Sequence, residues 1–584
     1  MVLGGWLGLG MLAAAAAAGG TPVETARQVL KEAWEARLRE DPLQATAIGD
    51  HRYDDRLPDV STAALDRQDA EKRAFLERLR AVDRRALLAA DRIDYDVYAR
   101  VLGNELAEHA FGADRMPITA DWGFHIGFSR LPAETAFLTV KDYDNYLARL
   151  AAWPTYADQN MALLREGLKS AFTMPRVVLE GYDQTIRAHV VDDPEKSVFF
   201  APFASFPPSV PVSEQARLLA AGRAAIQKAV VPGYRKLLAF FVDEYVPGAR
   251  TTTGASDLPR GRAYYEQRVK AFTTLDVTPE QVHETGLREV ARIRAEMEEV
   301  IRKVGFAGDF PAFLKFLRTD PRFYAKTPEE LLRQASFIAK RMDGQLPRFF
   351  RVLPRLPYGI EPVPPDIAPK FTGGRYIEAP VGGTRAGMYW VNTYALENRP
   401  LYVLEALTLH EAVPGHHLQI ALQQELAGVP EFRRVFSADA FVEGWGLYSE
   451  RLGLEAGFYQ DPYSNFGRLT YEMWRACRLV VDTGLHAMGW SREKAMDFLA
   501  SNTALSLHEV QTETDRYISW PGQALAYKMG ELKIRELRAR AEAELGPRFD
   551  VREFHDAVLG NGSVPLPVLE SQIDAFIARA KAAQ

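Results

Sequence analysis

The stretch "TPEQVHETGLREVARIRAEMEEVIRKVG" (residues 278–305) sets the fold class, because it carries the signals of a complete helix. Thr278 can cap the helix, Pro279 fits its first turn, and Gly305 suits the position just past its end. Apolar side chains recur between these signals on one side, at roughly helical spacing: Val282, Val290, Ile293, Met297, Val300 and Ile301. The segment therefore predicts a long amphipathic helix that packs one face on a core.

The same pattern extends in both directions along the chain. Further long helices are predicted at residues 21–42, 61–82, 84–109, 141–169, 212–245 and 327–350. Residues 353–400 differ, because short aromatic and β-branched runs alternate there with glycine and proline, which favours two or three strands. Helical patterns then continue to the end of the chain. The sequence therefore predicts a mainly α fold with one small β-hairpin or sheet.

Composition narrows the class of protein. The chain has 584 residues, of which 47% are hydrophobic and 25% are charged, which is a globular balance with enough apolar residues for a sizeable core. The net charge is −6 and no long basic block occurs, so we expect no nucleic-acid partner. The single cysteine, Cys477, excludes an intramolecular disulfide framework and a cysteine-rich zinc site.

The N-terminus predicts export. In "MVLGGWLGLGMLAAAAAAGG" (residues 1–20) an apolar run gives way to small residues, as in a secretory signal peptide with an alanine-rich cleavage site. The segment lacks the usual basic residue near its start, and it is too short for a membrane span. No cysteine follows the predicted cleavage site, so we expect no lipid anchor there. We expect a periplasmic protein without stable membrane insertion after signal cleavage.

The stretch "HEAVPGHH" (residues 410–417) resembles the start of a zinc-binding HExxH helix. In that motif the second histidine follows the first by four positions, but here position 414 is a proline. The next histidines, His416 and His417, come six and seven positions after His410. On a regular helix the sixth position points roughly 120° away, and the seventh lies about 10.5 Å further along the axis. A regular helix would therefore place neither residue beside His410.

Pro414 and Gly415 offer a way to bring a second histidine back. Proline interrupts the helical hydrogen bonds, and glycine accepts unusual backbone angles. If two residues bulge out, His416 takes the place of the usual second ligand, and we prefer it to His417. The residue that is not the ligand is then expected to contact the substrate or to support the ligands. The alternative is a helix end that merely contains three histidines.

A third metal ligand is expected from the next helix, "DAFVEGWGLYSERLG" (residues 439–453). Glu443 lies among apolar residues and is followed by Gly444 and Gly446, which allow another backbone to approach closely. A buried carboxylate needs a partner or a metal ion. Glu450, two turns further along the same helix, is the alternative ligand.

Three blocks together resemble a known family: "LTLHEAVPGHHLQ" (407–419), "FVEGWGLYSERLG" (441–453) and "RYISWPGQALAYKMG" (516–530). They are similar to a bacterial family called domain of unknown function 885, and that family is similar to gluzincin zinc peptidases such as thimet oligopeptidase and angiotensin-converting enzyme. The resemblance runs from about residue 25 to the C-terminus. It implies a single large helical body with a deep cleft over residues 21–584. The loop at residues 246–260 is the best candidate for a boundary between two lobes, 21–260 and 261–584.

The resemblance also implies a mechanism. It assigns His410, His416 and Glu443 as ligands of one Zn²⁺ per chain. The implied reaction is the hydrolysis of short peptides by metal-activated water, with Glu411 as the general base. The two-residue insertion departs from HExxH and leaves the second histidine open. His and Glu ligands also suit cobalt or manganese. The alternatives are a hydrolase of a non-peptide amide and a metal-free binding protein or pseudoenzyme.

Other substrate contacts are expected from two segments. The block "HEVQTETDRYISWPGQALAYKMG" (508–530) offers an oxyanion-stabilising tyrosine, with Tyr517 preferred to Tyr527. Arg516 or Lys528 in the same block could bind a substrate carboxylate. The segment "AGMYWVNTY" (386–394) is interpreted as an edge strand that pairs with an extended peptide, with Asn392 facing the cleft, or as a plain structural hairpin.

Overall fold

The computed structural model describes residues 20–365, 367–381 and 385–582, so residues 1–19 of the predicted signal peptide lie outside the described part. The N-terminal half is helical. Its α-helices are α1 (Pro22–Glu40), α2 (Pro42–Ala47), α3 (Thr62–Arg80), α4 (Ala89–Phe111), α5 (Phe124–Ser129), α6 (Leu131–Glu134), α7 (Val140–Lys169), α8 (Arg176–Leu179), α9 (Asp183–Arg187), α10 (Ala201–Ala204), α11 (Val212–Ala225), α12 (Val231–Phe240) and α13 (Val246–Gly248). Two π-helical turns join α11, α12 and α13 into one continuous helix.

The C-terminal half adds a small sheet to a second set of helices. The elements before the sheet and within it are α14 (Gly261–Thr273), α15 (Pro279–Lys303), α16 (Phe310–Thr319), α17 (Pro328–Asp343), α18 (Leu346–Phe349), β1 (Tyr358–Pro362), β2 (Gly374–Ile377) and β3 (Gly387–Val391). Those after it are α19 (Leu404–Glu411), α20 (His416–Gln424), α21 (Phe432–Val435), α22 (Asp439–Leu452), α23 (Pro462–Ala487), α24 (Arg492–Asn502), α25 (Leu507–Ser519), α26 (Ala526–Leu545), α27 (Val551–Leu559) and α28 (Leu566–Ala582). The predicted mainly α fold with a small sheet is confirmed.

The helix predicted from residues 278–305 forms as α15. The Thr278 side chain accepts a hydrogen bond from the Gln281 backbone N–H, and the Gln281 side chain accepts one from the Thr278 N–H, which completes a capping box. The apolar stripe of α15 packs along α23. Every side chain of α23 from Phe466 to His486 is buried. Helix α23 is therefore a central element of the core.

The strand order within the described residues is β1–β3–β2. Strand β3 pairs in parallel with β1 and antiparallel with β2. The interpretation of residues 386–394 as an edge strand is therefore wrong, because β3 is the central strand. The edge strand β2 contacts α19.

The N-terminal helices share their core with the segment that precedes α22. One hydrophobic cluster extends from Ala26 to Ile577. Within it the Phe432 ring contacts Tyr98, with ring centroids 4.8 Å apart. Beside these rings, the buried Arg433 donates to Asp94 over 2.6 Å. Across the described stretches of chain, no helix has the length and apolar character needed to cross a membrane.

Close contact between α22 and α26 depends on two glycines. A Cβ at Gly444 would lie 2.5 Å from the Gly530 carbonyl carbon, and a Cβ at Gly530 would lie 1.8 Å from the Ala440 carbonyl oxygen. The backbones thus touch directly, and this fixes α22 and its glutamates against the rest of the core. The glycines near Glu443 were expected to allow such an approach.

Gly530→Ala is expected to destabilise the protein by ~3 kcal/mol, because a methyl group there must push the two helices apart. Urea unfolding followed by circular dichroism measures the change. Gly103→Ala is the matched control: Gly103 lies inside α4, and a Cβ there would meet nothing within 4 Å. That substitution should stabilise the protein by about 0.5–1 kcal/mol. Equal effects at both positions would contradict the packing described for α22 and α26.

Candidate metal centre

The backbone between His410 and His416 forms the bulge that the sequence predicts. Helix α19 ends at Glu411 and α20 begins at His416. The Gly415 N–H donates to the Leu409 carbonyl over 3.0 Å, and the His417 N–H donates to the Ala412 carbonyl over 3.1 Å. Both bonds span more residues than the i−4 bonds of a regular α-helix. Extra residues are thus looped out, and the helical path resumes on the far side.

Gly415 is required by its close contact with the preceding helix. A Cβ at this position would lie 1.9 Å from the His410 carbonyl oxygen. The folded-back segment therefore accommodates only glycine.

The bulge brings two imidazoles and a carboxylate together. The His410 and His416 rings lie 4.6 Å apart at 89°. The Nε2 atoms of both histidines lie 3.5 Å from the same Oε2 atom of Glu443. Two ligands of a tetrahedral zinc ion, each bound at 2.0–2.1 Å, would be separated by about 3.3 Å. These separations fit a common metal ion.

Unsatisfied polar atoms surround the same point. The Oε2 of Glu443 and the Nδ1 of His416 are buried, and neither has a hydrogen-bond partner among the described residues. Buried polar atoms are normally satisfied, so their clustering needs an explanation. A metal ion would explain the carboxylate oxygen. It would not by itself explain His416 Nδ1, which faces away from Glu443.

Glu450, the alternative third ligand, approaches His410 from its other side. Its Oε1 lies 2.8 Å from His410 Nδ1, and both side chains are almost fully buried. When His410 Nδ1 carries the hydrogen and donates it to Glu450, the lone pair of His410 Nε2 points towards Glu443. Carboxylates in this position orient metal-binding histidines. The two glutamates of α22 therefore occupy different places, with Glu443 at the candidate centre and Glu450 behind it.

The carboxylates in this cluster favour a bound cation. Burial by itself lowers the pKa of His410, but the neighbouring carboxylates of Glu443 and Glu450 raise it to about 9. Burial by itself raises the pKa of Glu443, but the two histidines outweigh it and hold this pKa well below its usual value. The carboxylates thus favour a positive charge between them, and a bound metal ion would supply it in place of a proton.

Glu411 is held next to this centre by the sheet. One oxygen of its carboxylate lies within 4.8 Å of a ring nitrogen of both His410 and His416. Its Oε2 accepts a hydrogen bond from the Tyr376 backbone N–H over 2.8 Å. Strand β2 thus anchors one oxygen of Glu411. The contribution of Tyr376 was not foreseen, because it depends on how β2 lies beside α19.

His417 points away from the cluster. Its Nδ1 lies 2.9 Å from the Tyr376 hydroxyl, and its ring packs against Tyr358 with centroids 4.6 Å apart. Burial lowers its pKa to about 4, so the ring is neutral at ordinary pH. The geometry therefore favours His416 over His417 as the second ligand and gives His417 a packing role beside the sheet.

The two candidate tyrosines occupy different surroundings. Tyr517 is fully buried, and its hydroxyl accepts hydrogen bonds from Trp474 Nε1 at 2.8 Å and from Arg478 Nε at 2.9 Å. Tyr527 is only half-buried, and its ring lies 4.2 Å from the Arg478 guanidinium. Burial raises the Tyr527 pKa, and the charge of Glu443 raises it further. Tyr527 therefore keeps a partly accessible side chain beside Arg478, while the Tyr517 hydroxyl is committed to the core.

Three predicted substrate contacts are already engaged inside the protein. The Lys528 ammonium is fully buried, 2.9 Å from Glu472 and Glu531 and 3.0 Å from Glu289. A charge paired in this way is part of the structure, so the geometry does not support a substrate-binding role for Lys528. The sequence could not show this, because two of the three partners, Glu289 and Glu472, come from distant segments.

Asn392 and Arg516 are also held by neighbouring groups. The buried Asn392 amide donates to three loop carbonyls between residues 368 and 372, and its oxygen accepts from the Tyr394 N–H. Asn392 thus organises the loop before β2, and its predicted place facing a substrate is not supported. Arg516 pairs with Glu513 at 3.0 Å and donates to Gln523 over 2.8 Å.

A polar stripe on α23 was missed by the sequence interpretation. Although this helix is buried all round, charged and polar residues recur along one side of it at helical spacing: Arg468, Glu472, Arg475, Arg478, Asp482 and His486. The signal was present in "RLTYEMWRACRLVVDTGLH" (468–486), where these residues interrupt an otherwise mostly apolar helix. Without the fold, such a stripe is most simply interpreted as a solvated face.

The fold and the site together define a mainly helical protein with a buried His–Glu cluster between two helices and a small mixed sheet. A family model described as "Bacterial protein of unknown function (DUF885)" matches residues 42–573. The chain belongs to this family, as the three sequence blocks indicated. The further likeness to gluzincin peptidases stays a prediction.

Solved structures extend the comparison. A crystal structure described as that of "the putative lipoprotein from Colwellia psychrerythraea" is 28% identical, with a TM-score of 0.90, and the match covers 95% of this chain and 99% of that one. A "putative lipoprotein of unknown function" from Shewanella oneidensis is 17% identical, with a TM-score of 0.68 over 94% of this chain and 99% of that one. The second match shows the fold alone. A search of curated proteins found no match.

Proposed function

We propose that the protein is a zinc-dependent peptidase that hydrolyses short peptides. His410, His416 and Glu443 would hold one zinc ion, and Glu411 would act as general base. The observation that carries this proposal is the position of both histidine Nε2 atoms 3.5 Å from one oxygen of Glu443. Two neutral imidazoles and a carboxylate form the ligand set of a catalytic zinc site, which leaves a coordination position for water.

The mechanism follows from the side chains around that position. When bound, zinc would lower the pKa of a water molecule towards 7 and polarise the substrate carbonyl. Glu411 would accept a proton from the attacking water and later pass it to the leaving amine. The Tyr376 N–H holds one Glu411 oxygen, so the carboxylate keeps its orientation during the transfer. Glu450 keeps the Nε2 of His410 directed at the centre.

Tyr527 is the proposed donor to the oxyanion that forms when water adds to the peptide carbonyl. Its raised pKa keeps the hydroxyl protonated at neutral pH, so it can donate a hydrogen bond. This choice reverses the preference for Tyr517 that the sequence suggested, since the Tyr517 hydroxyl already accepts two buried hydrogen bonds.

Limited access supports short peptides as substrates. His410, Glu411 and His416 are only 2%, 8% and 9% exposed. A folded protein could not bring a backbone amide to such a buried centre, whereas a short extended chain could enter. Strand β2 is an edge strand, so its backbone groups other than the Tyr376 N–H, which holds Glu411, could pair with such a chain.

We further propose that the protein is exported. The apolar N-terminal segment predicts a signal peptide. The 28% identical protein from Colwellia psychrerythraea is described as a putative lipoprotein, which fits an exported family. A periplasmic enzyme for short peptides would act on fragments that arise outside the cytoplasm.

The test combines metal analysis with substrate profiling. We expect purified protein to contain about one zinc per chain by plasma mass spectrometry. It should cleave an N-acetylated tetrapeptide library, lose this activity with a chelator, and regain it when zinc is returned. If the protein does not bind zinc even when zinc is supplied, the alternative of a metal-free binding protein would be favoured. Zinc binding with cleavage of non-peptide amides alone would indicate a different hydrolase.

Glu450→Gln is expected to weaken zinc affinity by about 10- to 100-fold, because an amide orients His410 less strongly than a carboxylate does. Competition with a fluorescent zinc chelator measures the change. Glu455→Gln is the control, since Glu455 is 46% exposed and pairs with Arg538 away from the centre. Equal zinc affinities for Glu450→Gln and the wild type would exclude the orienting role of Glu450.

A further inference from the structure

A cavity lies beside the candidate centre, next to α19 and the start of β2. It has a volume of about 170 Å³, and Leu404, Leu407 and Gly373, the residue before β2, line one side of it. Leu407 lies one helical turn before Glu411, so both side chains project from the same face of α19, about 6 Å apart along its axis. The cavity and the proposed general base thus border the same helix face and the same strand.

Most of the residues that line the cavity are apolar or aromatic. Besides the leucines of α19, they include Val391 of β3, Tyr402, Tyr471 of α23 and Leu505, which precedes α25. Long charged side chains commonly lay their methylene groups along such surfaces and keep only the charged end near a polar group. The walls therefore suit a side chain with an apolar stem.

One carboxylate in the cavity has no partner. Glu509, in the first turn of α25, lines the cavity and is partly exposed, so a ligand in the cavity can reach it. Within residues 20–365, 367–381 and 385–582 its carboxylate forms no ion pair or hydrogen bond, and only its backbone N–H is bound, to the Ser506 side chain. Loss of contact with water raises the pKa of Glu509 to about 7, and Glu513 adds to this, although Arg399 and two arginines of α23 lower it.

The other charged residues that line the cavity do not balance this carboxylate. Arg318 is committed to three backbone carbonyls, at distances from 2.6 to 3.1 Å. Arg399 donates to two loop carbonyls over 3.3 and 3.4 Å and forms no ion pair with Glu509 in the described structure. Glu397 is exposed. Apart from the committed Arg318, two carboxylates therefore face one guanidinium, and one further positive charge would balance the cavity.

We propose that this cavity is a specificity pocket for a basic side chain of the substrate, and that Glu509 binds its charged end. The inference rests on the proposed peptidase function and narrows its substrate class to short peptides that contain lysine or arginine. The apolar walls take the stem, and the carboxylate accepts charge-assisted hydrogen bonds from the cation. A chain extended along β2 rises about 3.3 Å per residue, so a side chain one or two positions from the cleaved bond reaches the cavity.

The test uses N-acetylated tetrapeptides in which one position at a time carries lysine, arginine, norleucine or glutamate. Norleucine has the stem of lysine without the ammonium group, so the lysine-to-norleucine ratio of kcat/KM reports on the charge. At one position the wild type should prefer lysine to norleucine by about 30-fold, and arginine should also exceed norleucine there. Glu509→Gln keeps the size of the side chain and should reduce the ratio to about one, mainly through a higher KM for the lysine peptides.

Two further variants complete the design. Arg399→Gln removes the guanidinium that repels the substrate cation, so it should raise the ratio by about threefold. Glu536→Gln is the matched control, because Glu536 is 58% exposed and pairs with Lys533 outside the cavity. Its ratio should equal that of the wild type. Each ratio is measured within one preparation, so a partly unfolded variant does not distort it.

Three results would overturn the pocket and leave the peptidase proposal intact. The first is equal cleavage of lysine and norleucine peptides by the wild type, or a preference for glutamate. The second is an unchanged ratio in Glu509→Gln. The third is an unchanged or lower ratio in Arg399→Gln, which would contradict the charge balance of the cavity. If Glu509→Gln does not fold, Glu509→Asp replaces it and should lower the ratio, because its shorter side chain withdraws the charge.

Failure of the peptidase proposal itself has a different outcome. If none of the peptides is cleaved, binding of the lysine and norleucine peptides to the protein supplied with zinc is measured by equilibrium dialysis and mass spectrometry. Preferential retention of the lysine peptides, lost in Glu509→Gln, would support the pocket without peptide hydrolysis. Retention of neither set, or of both equally, would overturn it.

Discussion

Glu411→Gln is expected to lower kcat for peptide cleavage by about 1,000-fold while zinc stays bound at about one ion per chain. The amide keeps the size of the side chain and can still accept the Tyr376 N–H hydrogen bond. It cannot take a proton from water, so the general-base step is lost. Steady-state kinetics on a cleaved tetrapeptide and plasma mass spectrometry of the same sample measure the two effects.

A surface glutamate provides the control for this prediction. Glu542 is 45% exposed and pairs with Arg538, so Glu542→Gln should leave both kcat and zinc content unchanged. Activity of Glu411→Gln within a factor of ten of the wild type would exclude Glu411 as general base. Loss of zinc from this variant would instead indicate that Glu411 is a ligand.

Glu443→Ala is expected to lose zinc more completely than Glu450→Gln. For Glu450→Gln we expect the zinc affinity to fall by roughly 10- to 100-fold. The substitution removes the only carboxylate oxygen that lies 3.5 Å from both histidine Nε2 atoms in the described structure. Zinc binding stabilises a native protein, so added zinc should raise the Tm of the wild type but not that of the variant. Metal analysis and thermal unfolding measure the two effects.

Glu443→Gln separates charge from shape in the same experiment. It keeps the side-chain volume but removes the negative charge, so it should also bind zinc poorly while the fold is retained. Full zinc content in Glu443→Ala would contradict the assignment. The ligand set would then be His410, His416 and Glu411, the other group of potential ligands that lies close together.

Local signals predicted much of the fold. The capping box at Thr278 and the helix that follows it depend on residues within a few positions of one another, so the sequence contains them completely. The sheet was predicted only in part. Strand β3 became central because β1 pairs with it in parallel. A parallel partner is brought in by a crossover, which no turn signal next to the strand reveals.

The candidate site shows the same division. The proline and glycine of "HEAVPGHH" were enough to predict a bulge that favours His416, because the steric limits act within six residues. The sequence favoured Glu443 over Glu450 as the third ligand, but it assigned no separate role to Glu450, since both lie on the same helix. Only the packing of α19 against α22 places Glu443 at Nε2 of His410 and Glu450 at Nδ1.

By itself, the sequence determined the helical class, the family and the residues from which a metal centre can form. The tertiary structure decided which of the candidate catalytic and substrate-binding side chains are free to act and which are held in the core. The half-exposed Tyr527 ring packs beside Arg478 while the Tyr517 hydroxyl is held in the core, and Lys528 is paired with Glu289 and Glu472. These outcomes depend on contacts between segments far apart in the chain. Such contacts form only when the whole core packs, so no local pattern encodes them.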